Sequence, residues 1–447
     1  MKLPLIFFLL LISYTTVAQT AQKNLDKYWQ YRQRFLGLDG GVGFIDLGEN
    51  SGQSLPMAGR NSAVDCQQNW HLKDSDCNRR AGKGMVEWGD ATVFHGYYIA
   101  TLALEYRNLL DAKQSVTKTK QELYLALKTY ERLDRAAEIA LGLAPKLDGF
   151  FIRDDVAADF YKKAKGNTAG EMRFKKANQT YNCLKSAYGC GTPTLEKGYF
   201  ISQDQALALL MGFAFVKELL PKETYGNTRE KFSDLASYYT HVMVSYMRNN
   251  KWRVRGPNGE KVPNEWGGDL RAFNYLIAKA ADRITEKKYL KTYQKGSSKN
   301  IGRILSSSFG WAFNMQAERN HHMIFEAIIM TGNWSPRKIA KRCLKSDKIV
   351  YALAYSVFNK KALDKRIKKT DLEAMINTAP WSGPCFGTAD CKAPNGWKSS
   401  DRWWHSNHKD GNPYGIHMEW TGIDFMFLYN LYHYLYKADL PRFKNGI

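Results

Sequence analysis

From about Thr92 onward, apolar and aromatic side chains return every three or four residues, and this period constrains the fold more than any other feature of the chain. The spacing predicts helices over 92–110, 121–143, 203–220, 227–248, 269–283, 309–330, 335–358 and 421–438, with shorter ones at 154–163 and 370–377. Strand-like stretches such as GVGFIDL (41–47) are short and isolated, so the chain reads as all-α, with no large sheet. Stretches rich in Gly, Pro, Asn and Cys at 48–85, 176–201, 250–267 and 379–419 are long enough to form functional surfaces.

Local signals sharpen several helix starts. In SQDQALALLMGFAFVKELL, Ser202 and Gln205 fit a capping box, Pro221 ends the segment, and Asp204 falls in the first turn. Thr421 and Asp424 form a similar start for GIDFMFLYNLYHYLY. A looser pattern recurs in EWGDATVFHGYY (87–98), EWGGDLRAFNYL (265–276) and EWTGIDFMFLYN (419–430). Each sets a Glu-Trp pair (Glu87 and Trp88, Glu265 and Trp266, Glu419 and Trp420) ahead of an aromatic-rich helix. A Trp at the mouth of a helical core offers an apolar face while the neighbouring Glu reaches a polar ligand.

The beginning of the chain, Lys2 followed by an apolar run from Pro4 to about Ala18, reads as a secretory signal peptide over 1–18. The expectation is therefore an exported protein, secreted or periplasmic, whose residues 19–447 form one catalytic domain, since no linker divides them. No later stretch stays apolar for the roughly 20 residues a membrane-spanning helix needs. Six of the seven cysteines form close sequence pairs in turn-rich stretches, and export allows bridges between Cys66 and Cys77, Cys183 and Cys190, and Cys385 and Cys391. Cys343 is left outside the pairing, and buried thiols are the alternative for the others.

The formal net charge of +22 inclines an exported chain towards polyanions, an acidic poly- or oligosaccharide among them. The runs KKAK (162–165), RKIAKR (337–342) and KRIKK (365–369) read as solvated helix faces. Zinc fingers, RNP-like segments and basic heptad helices are absent from the sequence, which sets nucleic acid aside as the partner. Oligomeric state leaves no mark on the sequence.

Three groups of residues carry candidate chemistry. Glycoside cleavage needs one carboxylic acid to protonate the leaving oxygen and a second carboxylate to activate water or attack the sugar. The candidates are Asp154, Asp155, Asp204 and Glu419, with Glu265, Asp269, Asp424, Glu87 and Asp90 behind them. A carboxylate in a helix's first turn is stabilised as the anion, so Asp204 and Asp424 suit a base or sugar-hydroxyl acceptor, whereas Glu419 between Met418 and Trp420 suits an acid. For any one of them taken alone, ordinary N-terminal capping is the better explanation. Arg153 can pair with one of Asp154 and Asp155 and leave the other for substrate.

The second group lies in AERNHHMIFEA (317–327), where Asn320 and His321, clamped by Arg319, suit β-elimination of a uronate. Tyr97, Tyr98 or Tyr275 would donate the proton. The third is DRWWHSNHKDGNPYGIHMEW (401–420), whose His405, His408, His417 and Glu419 lack the helical order of a zinc site. Trp403, Trp404 and Trp420 there suit stacking on sugar faces, with Asn407, His408 and Asp410 as hydrogen-bonding partners. Serine-hydrolase, Walker and Rossmann signatures are all missing, and no cofactor or metal is invoked.

Taken together, EWGDATVFHGYYIATLALEY (87–106), DGFFIRDDV (148–156), SQDQALALLMG (202–212) and GIHMEWTGIDFMFLYNLY (415–432), set among amphipathic helices, resemble the secreted (α/α) toroid carbohydrate-active enzymes, which include glycoside hydrolases and polysaccharide lyases. The resemblance runs over about residues 30–440. It implies an (α/α)6 toroid with long loops forming a substrate groove at one end of the inner helices, where the acidic helix starts would gather. RNHH (319–322) looks like the Asn-His element of toroidal uronate lyases, carried onto Asn320 and His321. The expected function is hydrolysis of an anionic glycan by carboxylate acid/base catalysis; β-elimination of a uronate glycan, and noncatalytic glycan binding or an envelope role, are the alternatives.

Overall fold

The computed structural model describes residues 19–33, 91–152, 175–176, 179–180, 200–226, 229–252, 255–256, 259, 271–293, 321–332, 334–345, 348–360, 362–379, 381 and 422–437. These residues form an all-α body. The helices are α1 (19–33), α2 (Ala91–Asp111), α3 (Thr117–Ala140), α4 (Gln203–Leu219), α5 (Phe232–Asn249), α6 (Arg271–Thr285), α7 (Tyr289–Thr292), α8 (His321–Thr331), α9 (Pro336–Lys345), α10 (Ile349–Asn359), α11 (Lys369–Thr378) and α12 (Ile423–Tyr436). Extended pairing among the described residues is confined to a two-residue antiparallel ladder, Lys175–Lys176 with Gln179–Thr180, and two isolated bridges.

Two kinds of helix alternate along the chain. Helices α2, α4, α10 and α12 are apolar nearly all round and lie in the core; Ile349 to Phe358, for example, are all buried. Helices α3, α5, α9 and α11 show one apolar stripe. In α9, Ile339, Ala340 and Cys343 face inward while Arg337, Lys338, Lys341 and Arg342 face solvent. In the basic run 365–369, Lys365, Lys368 and Lys369 are exposed, Arg366 is half-buried and Ile367 is buried.

Helix α2 packs on α4 and α12, α4 on α6, α6 on α8, α8 on α10, and α10 on α12; α4 also touches α8. Contact registers give directions. Gly96 abuts Ala208 while Gly212 abuts Ile99, so α2 and α4 advance together. Gln203 bonds Asn274 and Glu218 pairs with Arg283, which aligns α4 with α6. Phe325 stacks on Tyr351 and Asn359 donates to the Ile329 carbonyl, which aligns α8 with α10. Arg283 joins the far ends, donating to the Met330 and Phe358 carbonyls as well as to Glu218.

Both glycines at the α2–α4 contact sit inside helices, where each costs about 1 kcal/mol against alanine. They are there because the backbones nearly touch: a Cβ on Gly212 would lie 2.6 Å from the Gly96 carbonyl oxygen. Removing both side chains lets two apolar helices approach more closely than Leu or Val would permit.

Several details differ from the sequence reading. Residues 19–33 form a helix that the periodicity beginning at Thr92 did not include, and the segment 335–358 is two helices, with Lys348 as the N-cap of the second. The capping box at Ser202 does not form: Ser202 makes no cap hydrogen bond, and its hydroxyl donates to the Asp204 carboxyl group. The last helix starts from Gly422, whose φ of 70° is left-handed, and not from a Thr cap.

The N-terminal helix is held by a buried ionic knot. Arg32, 1 % exposed, donates from Nε to Glu105 (2.8 Å) and from Nη1 and Nη2 to Glu122 (3.0 and 2.6 Å). Tyr28 and Thr119 also donate to Glu105, and Tyr98 donates to Glu122. Burial opposes the guanidinium charge, but Glu105 and then Glu122 outweigh it and hold Arg32 well above its usual value. Lys27, on the same helix, donates to the Ile376, Asn377 and Ala379 carbonyls at the end of α11.

Candidate functional site

The sequence DGFFI (148–152) shows how the core presents the segment that follows it. Asp134 on α3 accepts from the Asp148 and Gly149 backbone N–H groups, each at 2.9 Å, and from the Tyr130 hydroxyl. Burial, the largest influence, pushes Asp134 up to about 7 against these hydrogen bonds. Gly149 takes a φ of 101° and leaves no room for a Cβ beneath the Val242 carbonyl. Phe150 and Phe151 are fully buried, and Ile152 bridges Phe200 while Ile201 N–H donates to the Phe151 carbonyl. Ile152 and Phe200, distant in sequence, thus lie side by side just before α4 begins.

At that start stands Asp204, half-buried in the first turn of α4 and accepting from Ser202. Beside it, Gln203 donates to Asn274 Oδ1 at 2.7 Å, and Asn274 donates to the Trp252 carbonyl. Lys251 and Trp252 both have left-handed φ, 58° and 60°, a strained pair for residues with side chains. Their turn is thus fixed to the same helix start.

Midway along α8 lies Glu326, the one acidic residue of that helix, fully buried. Its Oε1 accepts from the Tyr97 hydroxyl of α2 at 2.6 Å, and the Tyr351 hydroxyl of α10 lies 3.0 Å from that of Tyr97. Its Oε2 has no hydrogen-bond partner among the described residues. Burial raises Glu326 to about 8; the Tyr97 hydrogen bond lowers it, and the charge of Asp204 raises it further. Asp424 is buried in the first turn of α12.

Of the residues singled out from the sequence, Tyr97 donates to Glu326 and Asp204 stands in the first turn of α4. Tyr275 stands half-buried on α6 against Tyr293, and His321 is the first residue of α8. Tyr98 faces away from Glu326, into the α1–α3 knot, and His95 is a core histidine donating to the Ala126 carbonyl at 2.7 Å; burial holds it down to about 3. Asp154, Asp155, Glu419, Arg153, Arg319, Asn320, Glu87, Trp88, Glu265, Trp266, Trp403, Trp404, His408 and Trp420 lie outside the described residues. So do the six cysteines of the expected bridges; Cys343 is a buried thiol on α9.

Glu326, Tyr351, Gln203 and Asn274 were not singled out from sequence. A signal for Glu326 was present: a single acid inside HHMIFEAIIMT, between the apolar runs Met323–Phe325 and Ala327–Met330. Among the described residues no group of three or more His, Cys, Asp or Glu is placed to hold a metal ion, and no helix is long and apolar enough to cross a membrane. Comparison of the chain with protein-family models, curated proteins and solved structures found no match.

Proposed function

We propose that this chain is an exported glycoside hydrolase, built as an (α/α)6 toroid, that cleaves an acidic poly- or oligosaccharide. The observation that carries the reading is the placing of Asp204, half-buried in the first turn of the core helix α4 with the Ser202 hydroxyl donating to it. A carboxyl group held in one orientation at a helix start is suited to act as a general base. Support for a toroid comes from the contacts of α2, α4, α6, α8, α10 and α12, each with the next and the last with the first, with amphipathic helices between them in sequence. The net charge of +22 favours an anionic glycan.

In this mechanism Asp204 is the base at the floor of the groove. It takes a proton from the water that attacks the anomeric carbon while an opposing acid, assigned to Glu419, gives its proton to the departing glycosidic oxygen. Whichever of Asp154 and Asp155 is not paired with Arg153 holds a sugar hydroxyl, and Trp403, Trp404 and His408 bind the sugar faces and edges. Secretion or a periplasmic location follows from the leader-like residues 1–18.

The test is product chemistry on a panel of acidic glycans. The reading expects new reducing ends without ultraviolet absorbance from an unsaturated uronate, and a loss of at least about 100-fold in kcat/KM for D204N and E419Q with an unchanged unfolding midpoint. Appearance of that absorbance would replace hydrolysis by elimination through Asn320, His321, Arg319 and Tyr275. Saturable binding without turnover, weakened by changes at Trp403 or Trp404, would make the chain a glycan-binding protein.

A further inference from the structure

We infer that the outward face of α9 is a docking surface for an acidic polysaccharide, at which the chain holds the glycan in addition to the proposed groove. The inference rests on the hydrolase reading for the class of its ligand.

Sequence and exposure supply the argument. Between Glu326 and Asp347 the chain carries five basic residues and no acid. Four of them, Arg337, Lys338, Lys341 and Arg342, are exposed on α9, while Ile339, Ala340 and Cys343 of the same helix are buried against the body. Their i, i+4 spacing sets them in two rows on one face, with rungs roughly 6 Å apart along the axis. Helix α10, on which α9 packs, has no charged residue from Ile349 to Asn359 to balance them.

Such an arrangement costs helix stability, because like charges at i, i+4 repel and cations in a first turn oppose the helix dipole. Other helices offset their cations with acids of their own: Arg107 pairs with Asp111, Arg135 with Glu131 and Lys369 with Glu373. On α9 a bound polyanion does what those acids do elsewhere. Two observations favour a glycan over an anionic membrane. The apolar side of α9 is turned into the body, so it is not offered to a bilayer. Trp334, half-buried just ahead of α9, has the Lys338 ammonium 4.5 Å from its ring centroid, which sets an aromatic surface beside a cation. Sugar faces stack on such rings while acid groups seek the cation.

The test is binding of polygalacturonate, alginate and dextran sulfate to wild type, to R337Q/K338Q/K341Q/R342Q and to K113Q/K118Q/K222Q/K287Q. The last variant removes the same charge from exposed lysines of other segments. The α9 variant is expected to keep an unfolding midpoint no lower than wild type's and to turn over a short oligosaccharide unchanged. Its affinity for at least one of the three polymers should fall about tenfold or more at low salt, with a shallower dependence on salt, while the control stays within about threefold. Equal losses in the two variants, no loss in the α9 variant, or a wild type that binds none of the polymers would overturn the inference. So would an α9 variant that loses binding to phosphatidylglycerol vesicles and keeps its hold on the glycans. A loss of glycan binding confined to the α9 variant, in a wild type that hydrolyses none of the polymers, would refute the hydrolase reading and leave the docking surface standing.

Discussion

Gly96 and Gly212 meet across α2 and α4 so closely that neither position has space for a methyl group. The obstacle is backbone on both sides, which a rotamer change cannot relieve. Gly96→Ala and Gly212→Ala should each lower stability by at least about 3 kcal/mol in urea unfolding, despite the better helix propensity of alanine. A neutral or stabilising result would mean that the two helices stand further apart.

Arg32 and Arg135 separate a buried ion pair from an exposed one. Removing Arg32 leaves Glu105 and Glu122 buried without their cation, so Arg32→Ala should cost about 3–5 kcal/mol and release α1 to proteolysis. Arg135→Ala, at a pair with Glu131 where the arginine is 46 % exposed, should change stability by less than about 0.5 kcal/mol. Chemical denaturation of the two variants side by side is the measurement.

Lys27 closes the end of α11 by bonding three carbonyl oxygens from a different part of the chain. Lys27→Met keeps most of the apolar stem and removes the donors, so it should cost about 2 kcal/mol. Amide exchange should quicken in α11 and α1 ahead of α2 and α4. Uniform quickening across all four helices would show that Lys27 does not act locally.

Glu326 gives the fold a pH dependence of defined sign. Its folded value, about 8, exceeds the ordinary 4.5, so between these pH values the unfolded chain has lost a proton that the folded chain keeps. Stability from this group is complete below about 4.5, falls as pH rises and levels off above about 8. E326Q should lack that decline, so its stability relative to wild type should improve from pH 5 to pH 8 by a few kcal/mol. Parallel curves would show that Glu326 is ionised in the folded protein.

How far the sequence revealed this molecule depends on the kind of residue. Core helices such as Gln203–Leu219 were legible because their apolar residues recur on every face and a proline follows the end. Helix α1 was not, since Lys27 and Arg32 read as solvent-facing charges until the carbonyls and carboxylates that bury them are seen. The break before Ile349 was legible in the polar run KSDK (345–348), which reading 335–358 as one helix passed over. At the site, Asp204 could be found from its place at a helix start, but the bond from Tyr97 to Glu326 joins two helices distant in sequence. Ser202 illustrates the same limit: a capping motif on paper, its hydroxyl was drawn to a nearer charge.

The bridge between Ile152 and Phe200 has a consequence for how such a protein can diversify. Ile152 and Phe200 are tied to each other, and Ile201 to Phe151, so the DGFFI turn and the entry to α4 form one anchored unit. A change of packing at Phe150 or Phe200, whose rings stack, would therefore be felt at the first turn of α4, where Asp204 stands. Divergence among proteins built this way is constrained at that seam.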